Sequence, residues 1–367
     1  MRNWLVVVWA LVAPFWGAAT PEKDTREAVR YVSAASLPVW GHADDAYTAP
    51  FSRVEPDITF GNATIDSYAG YSTGLYLCFR TNSHSLSAKW QTSDRPGGDN
   101  MTAIVQKGLD LYIRDRDSWR FAGVGRPGSH SREEHSAQLV SFMPDGWKEC
   151  LLYLPAFDKV TSLEIGIDSL STLEPLPNPF RHKIVVLGSS ITHGASASRS
   201  GMTWPALLER HSNLYCINLG FSGLCRLETS YARYLASLQA DAFVIDAFSN
   251  PHADAILERF DAFVSVLREG HPETPLIFIN TFRRETRNFS LETEAAEKAK
   301  QEAAREVVSR RMKVDSHVYF IDCKDGFLGD DSYGTADGVH PTDLGFARYL
   351  DHIEAPILTI LEKYGIR

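Results

Sequence analysis

Ser190 follows an apolar run within Ile184-Val185-Val186-Leu187-Gly188-Ser189-Ser190-Ile191-Thr192-His193-Gly194, and it is the candidate nucleophile of this chain. Groups that could serve a reactive serine stand further along. Gly223 closes Asn218-Leu219-Gly220-Phe221-Ser222-Gly223, Asn250 lies in Asp246-Ala247-Phe248-Ser249-Asn250-Pro251, and His340 ends Asp337-Gly338-Val339-His340. A serine hydroxyl is a poor nucleophile until an imidazole takes its proton, and that imidazole must be held in one tautomer through its other nitrogen. Fixed N–H donors must then meet the negative charge that forms on the former carbonyl oxygen. Backbone N–H groups at glycine and the neutral amide of asparagine are suited to that work. His193 is too near Ser190 in sequence to be the preferred base, and it reads as a solvated loop histidine or a substrate contact.

These residues need a scaffold that ends several strands at one edge. Ile184 to Leu187 is an unbroken apolar run rich in β-branched residues, as expected of a parallel strand covered on both faces. Leu214 to Ile217 precedes the Gly223 turn, and Phe243 to Ile245 precedes the Asn250 turn. Reactive groups in open α/β sheets collect beyond the carboxyl ends of the strands. Taken alone, Gly-Ser-Ser is ordinary loop punctuation. The ordered recurrence of serine, glycine, asparagine and histidine is what gives it weight.

That order resembles the SGNH (GDSL-type) hydrolases, over roughly Phe180 to the end of the chain. The resemblance implies Ser190 as nucleophile, His340 as general base and Asp337 as the carboxylate that orients it. It also implies an oxyanion hole built from the backbone N–H groups of Ser190 and Gly223 and the side chain of Asn250. Ser189 replaces the aspartate of Gly-Asp-Ser, and Phe248 and Pro251 flank the third block, so the subfamily and its substrate are left open. No cofactor and no metal is expected. The Gly-x-Ser-x-Gly elbow of α/β-hydrolases is absent around both Ser190 and Ser222.

The chain has 367 residues, enough for two domains, and 44% apolar content is ordinary for globular cores. A net charge of −9 with both signs mixed along the chain leaves no basic stripe, so nucleic acid is not an expected partner. Arg2, the apolar segment Trp4 to Trp16 and Gly17-Ala18-Ala19 form the pattern of a signal peptide over residues 1–19. Secretion or a periplasmic location is the corresponding expectation, with no integral span after cleavage; a retained anchor is the alternative. The five cysteines are too scattered for a disulfide scaffold or a zinc motif, although Cys78 and Cys150 could form a bridge. Asn62, Asn100 and Asn288 open Asn-x-Thr/Ser triplets, about what chance supplies at this length.

Residues 30–173 show a period of two, as in Leu75, Leu77 and Phe79, with Gly- and Pro-rich turns between short runs, which predicts a β-sandwich. Gly108-Leu109-Asp110-Leu111-Tyr112 resembles the Gly-x-Asp-Leu-Tyr signature of a β domain that precedes SGNH hydrolases in two-domain bacterial esterases. Packing against the second domain is the expected role of Asp110 and Tyr112. Residues 174–182 carry Pro175, Pro177 and Pro179 and predict a stiff connector without regular ladders.

From residue 183 to 367 strands and helices alternate. This predicts a flavodoxin-like three-layer sandwich with a parallel sheet, the hydrolase domain of the resemblance. The charge run of the helix from Leu291 to Met312 is expected to be a solvated face.

Three functions compete. The first is a serine esterase that removes acyl groups, acetyl in particular, from an acylated carbohydrate. The second is a lipid esterase or lysophospholipase on the same fold. The polar residues Thr192, His193, Ser196, Ser198 and Arg199 near Ser190 weigh against the broad apolar groove it would need. The third is a non-catalytic glycan-binding protein, which the intact Ser190, Asp337 and His340 oppose.

Overall fold

A computed structural model describes residues 28–323 and 326–367, so the expected signal peptide lies outside the described residues. The first half is built from β1 (Val29–Ser33), β2 (Val39–Trp40), β3 (Tyr76–Thr81), β4 (Leu86–Gln91), β5 (Leu109–Asp115), β6 (Ser118–Gly125), β7 (Glu134–Val140), β8 (Lys148–Tyr153), β9 (Ser162–Asp168) and β10 (Leu173–Pro175), with short helices α1 (Ala63–Ala69) and α2 (Ala103–Lys107). They form two sheets, ordered β1-β9-β4-β7 and β10-β3-β8-β5-β6, with β2 also on β3.

The alternation in β3 has two apolar destinations. Leu77 and Phe79 enter the sandwich core with Trp90, Leu111 and Ile165, whereas Tyr76 and Cys78 point the other way, to a cluster with Phe180 and Ala206 of the second half. This sheet is therefore covered on both faces, which is why its strands are apolar at successive positions. The same pleat rules out the possible bridge. Cys150 lies opposite Phe79 rather than Cys78, the two thiols face opposite sides, and both are free and buried. The connector also departs from expectation. Leu173–Pro175 pairs with β3 as an edge strand, where a proline costs no needed ladder bond.

The second half contains β11 (Arg181–Gly188), α3 (Ser190–His193), α4 (Trp204–Ser212), β12 (Leu214–Gly220), α5 (Thr229–Ser237), β13 (Ala242–Asp246), α6 (Ala253–Gly270), β14 (Leu276–Ile279), α7 (Leu291–Met312), β15 (Val318–Ile321) and α8 (Asp343–Glu362). The strands are parallel in the order β12-β11-β13-β14-β15, the doubly wound arrangement. Ile184 and Val186 pack towards Trp204, Leu208 and Ile353, while Val185 and Leu187 pack towards Phe260, Val264 and Val307.

Not all of the α7 charges are solvated. Glu297 and Lys300 turn inward, with Lys300 Nζ 2.7 Å from Glu297 Oε1 and donating to the Ser249 carbonyl at 3.1 Å.

The two halves share a core. Ala43, Val54, Phe60, Ile65 and Ala69 belong to the same buried cluster as Phe221, Tyr231 and Phe248. Arg53, fully buried, donates from Nη1 to the Asn218 carbonyl and from Nη2 to the Tyr68 and Gly220 carbonyls, each at 2.9 Å. Asp110 accepts from the Gly201 N–H at 2.9 Å and lies 3.2 Å from Arg199 Nε, and Arg210 stands over the Tyr112 ring. A fragment starting at Phe180 should consequently expose part of its own core and be recovered as aggregate. A soluble fragment with a cooperative thermal transition would contradict this.

Glu209 is sealed in the same interface. It accepts from the Tyr153 hydroxyl at 2.7 Å and from the Cys216 N–H at 3.2 Å, and burial pushes its carboxyl up to about 8. A folded value above the unfolded one means that this contribution to stability is complete below the unfolded value and lost as pH rises through the folded one. Between pH 6.5 and 8.5 the melting temperature of the wild type should therefore fall more than that of Glu209→Gln. Parallel curves in thermal unfolding would refute that assignment.

Candidate active site

β11, β12 and β13 end level with one another: Gly188 pairs with Gly220 on one side and with Asp246 on the other. Ser190 leaves the middle strand, Gly223 follows β12 and Asn250 follows β13, so the pairing puts the glycine and asparagine turns on either side of the serine. Gly220 allows this closeness, since a Cβ there would collide with the backbone of His193. Gly223 has φ +74, which a side chain disfavours, although the space around it is open. Among the described residues neither Gly223 N–H nor the Asn250 side chain forms a hydrogen bond, and Asn250 Oδ1 is buried.

Ser189 caps α3 by accepting from the Ile191 N–H, and this sets Ser190 at the first helical position, nearly buried. Ser190 Oγ lies 2.9 Å from His340 Nε2, and His340 Nδ1 lies 2.7 Å from Asp337 Oδ2. Asp337 Oδ1 accepts from the backbone N–H groups of Val339 and His340 at 3.0 and 2.8 Å. Burial would raise the Asp337 carboxyl, but the donors around it, Asn100 and His340, hold it well below the usual carboxylate range. Ser190, His340 and Asp337 thus form one hydrogen-bonded chain.

The loop that carries this pair is tied down by residues the sequence did not single out. Glu285 accepts from the Gly334 N–H at 3.2 Å and from the Thr335 hydroxyl, and the Thr286 N–H donates to the Gly338 carbonyl at 3.0 Å. Asp246, at the end of β13, is also buried. It accepts from the Thr192 hydroxyl at 2.9 Å beneath α3, and burial pushes its carboxyl up to about 7.

His193 is neither a solvated loop residue nor a substrate contact. It is fully buried, stacked on Phe157 at 3.9 Å, with Nε2 2.8 Å from the Ala156 carbonyl and Nδ1 accepting from the Ser222 N–H at 3.4 Å. These partners assign the neutral Nε2–H tautomer, and burial lowers its basicity strongly, followed by the nearby Arg53 charge. His193 therefore joins the turn before Gly223 to the β domain. Ser196, Ser198 and Arg199 are likewise committed inside the protein, to the Asn100 carbonyl, Asp343 and Asp110.

Asn100, noticed in the sequence only as the start of an Asn-x-Thr triplet, brings its side chain to the same place. Its Nδ2 donates to Asp337 Oδ2 at 2.9 Å and lies 3.2 Å from His340 Nδ1. No signal along the chain could have paired it with residues so distant.

Comparison with known proteins follows the same division of the chain. The model of the GDSL-like lipase/acylhydrolase family matches residues 181–358, and that of the GxDLY N-terminus of SGNH_hydro-type esterases matches residues 29–173. No curated protein matches the sequence. Among solved structures, a GDSL-like protein from Bacteroides ovatus ATCC 8483 is 43% identical, with TM-score 0.86, over 91% of this chain and 98% of its own. A salicylyl-acyltransferase from a tetracycline biosynthetic pathway is 19% identical, with TM-score 0.68, over 92% of this chain and 99% of its own. A family two carbohydrate esterase from Cellvibrio japonicus is 14% identical, with TM-score 0.57, over 92% and 99%. The last two show likeness of fold.

Proposed function

This chain belongs to the GDSL-like lipase/acylhydrolase family, the SGNH-type carboxylic ester hydrolases, and from that premise we propose that it removes acyl groups, acetyl in particular, from a carbohydrate through a Ser190 acyl-enzyme. The observation that carries the reading is the unbroken contact from Ser190 Oγ through the His340 ring to Asp337, at 2.9 and 2.7 Å.

In this mechanism His340 Nε2 takes the Ser190 proton as Oγ attacks the ester carbonyl, and Asp337 stabilises the imidazolium through Nδ1. Charge on the carbonyl oxygen meets the N–H groups of Ser190 and Gly223 and the amide of Asn250. The imidazolium then gives its proton to the sugar oxygen as the bond from that oxygen to the acyl carbon breaks, which frees the sugar hydroxyl and leaves the acyl group on Ser190 Oγ. Water attacks the acyl-enzyme with His340 again as base, which releases the acid and restores Ser190.

A carbohydrate leaving group accords with the rim of the site. Asp337 is a third exposed, Asn250 is half-buried beside the serine turn, and exposed Arg226 donates to the Gly223 carbonyl at 3.2 Å. A long acyl chain would want apolar walls there instead. The fold shared with carbohydrate esterases makes acetylated polysaccharides the first substrates to try. Export by the segment at residues 1–19 would bring the enzyme to such polymers, and a mature N-terminus at Thr20 in the exported protein would establish it.

The test is acetate release from a panel of acetylated polysaccharides, set against hydrolysis of short- and long-chain acyl esters. Acetate release with poor turnover of long chains is expected. Preference for long-chain esters would replace this reading with the lipid esterase.

A further inference from the structure

Asn100 belongs to the β domain, in the loop that leads into α2, yet its amide ends beside the catalytic pair of the other domain. The loop is built to hold it there. The Ser196 hydroxyl donates to the Asn100 carbonyl at 2.8 Å, and the Thr102 hydroxyl donates to the Ser198 carbonyl at 2.6 Å while also capping α2. Ser198 is anchored in turn, its N–H donating to Asp343 Oδ1 at 2.8 Å. Ser196 takes up φ +68, a left-handed conformation that a residue with a side chain disfavours and keeps only where the surroundings impose it.

Asp337 Oδ1 is fixed by two backbone N–H groups, whereas among the described residues Oδ2, the oxygen that faces the imidazole, has only side-chain donors: His340 and Asn100. We propose that Asn100 is a positioning residue of the reaction, which holds Asp337 Oδ2 in line with His340 Nδ1, so that the β domain completes the catalytic chain of the hydrolase domain. The amide orientation supports this role. With its oxygen turned towards Asp337, Asn100 would set two acceptors 2.9 Å apart, and only Nδ2 can occupy that place.

Asn100 acts through Asp337 and not on substrate. Its loss should therefore lower kcat and leave KM nearly unchanged. Outer partners that orient a functional histidine are worth about 10- to 100-fold where they have been removed from metal sites, and water reaching the part-exposed Asp337 keeps the expected loss in that range.

The proposal rests on the Ser190–His340–Asp337 reading, and a double-mutant cycle separates the two. Steady-state kinetics on a small acetyl ester, with melting temperatures, would be measured for the full chain as wild type, Asn100→Ala, Asp337→Ala and the double variant. Expected is a 10- to 100-fold fall in kcat for Asn100→Ala with KM within about twofold and an unchanged melting temperature, and a double variant no slower than Asp337→Ala. An equal loss in both backgrounds, a change confined to KM, or a fall in kcat that tracks lost stability would overturn the proposal while sparing the triad. Wild-type turnover by Asp337→Ala would overturn both. Should Asn100→Ala not fold, Asn100→Asp keeps the shape of the side chain but sets a carboxylate against Asp337. It should lose at least as much kcat, and wild-type kcat in that variant would also overturn the proposal.

Discussion

Ser190→Ala should lower kcat by about a millionfold, the loss found when a triad serine is removed, and leave the protein as stable as the wild type. The covalent route needs the Ser190 oxygen, and nothing nearby can replace it. Ser222 lies in the Gly223 turn, and His193 beside it is committed to the Ala156 carbonyl. The stability argument is separate. Ser190 Oγ hydrogen-bonds only His340 among the described residues, and the rest of α3 is held by the Ser189 cap, by Thr192 on Asp246 and by Asn218 donating to the Thr192 carbonyl at 2.8 Å. Removing one oxygen leaves those ties in place. Residual turnover about a thousandfold above the uncatalysed rate is compatible, because the oxyanion donors remain. The measurements are kcat for purified Ser190→Ala and its melting temperature; a rate within a hundredfold of wild type would end the nucleophile assignment.

Asp337→Asn should cost about ten-thousandfold in kcat, through the wrong tautomer of His340. The structure indicates which way the new amide must turn. Oδ1 receives two backbone N–H groups, from Val339 and His340, so the asparagine carbonyl oxygen stays there and its NH₂ takes the place of Oδ2. That NH₂ then points a donor at His340 Nδ1, which must accept, and the ring proton moves to Nε2, facing Ser190. The base has no free lone pair for the serine proton. Single-turnover kinetics of acylation would read the loss directly. A loss below tenfold would mean that Asp337 does not set the tautomer.

The layered second half was legible because its signals are local. The helix Leu291–Met312 begins and ends where the sequence put it, and the apolar runs Ile184 to Leu187, Leu214 to Ile217 and Phe243 to Ile245 lie inside β11, β12 and β13. A buried parallel strand must be apolar at consecutive positions and a helix repeats at 3.6, whatever it packs against. The ordered blocks with Ser190, Gly223, Asn250 and His340 were legible for the same reason: each is a short stretch at the end of a strand or before a helix.

Where charged and polar side chains point could not be read in that way. Glu297 and Lys300 lie in a run that looks solvated, yet they face inward because the Ser249 carbonyl, on another loop, sits beneath them. His193 looks like a loop histidine, and its burial is created by Phe157 and Ala156 of the β domain. Period-two alternation also left open that one face of the β3 sheet is covered by the hydrolase domain, and the register that puts Cys78 on that face and Cys150 on the other. Residue types and local spacing thus carried the strands, the helices and the positions of the candidate reactive groups. Arg53 at the end of β12, the His193 buttress and Asn100 on Asp337 arose only on folding, because a hydrogen bond forms within about 3 Å in space and takes no account of the distance between its partners along the chain.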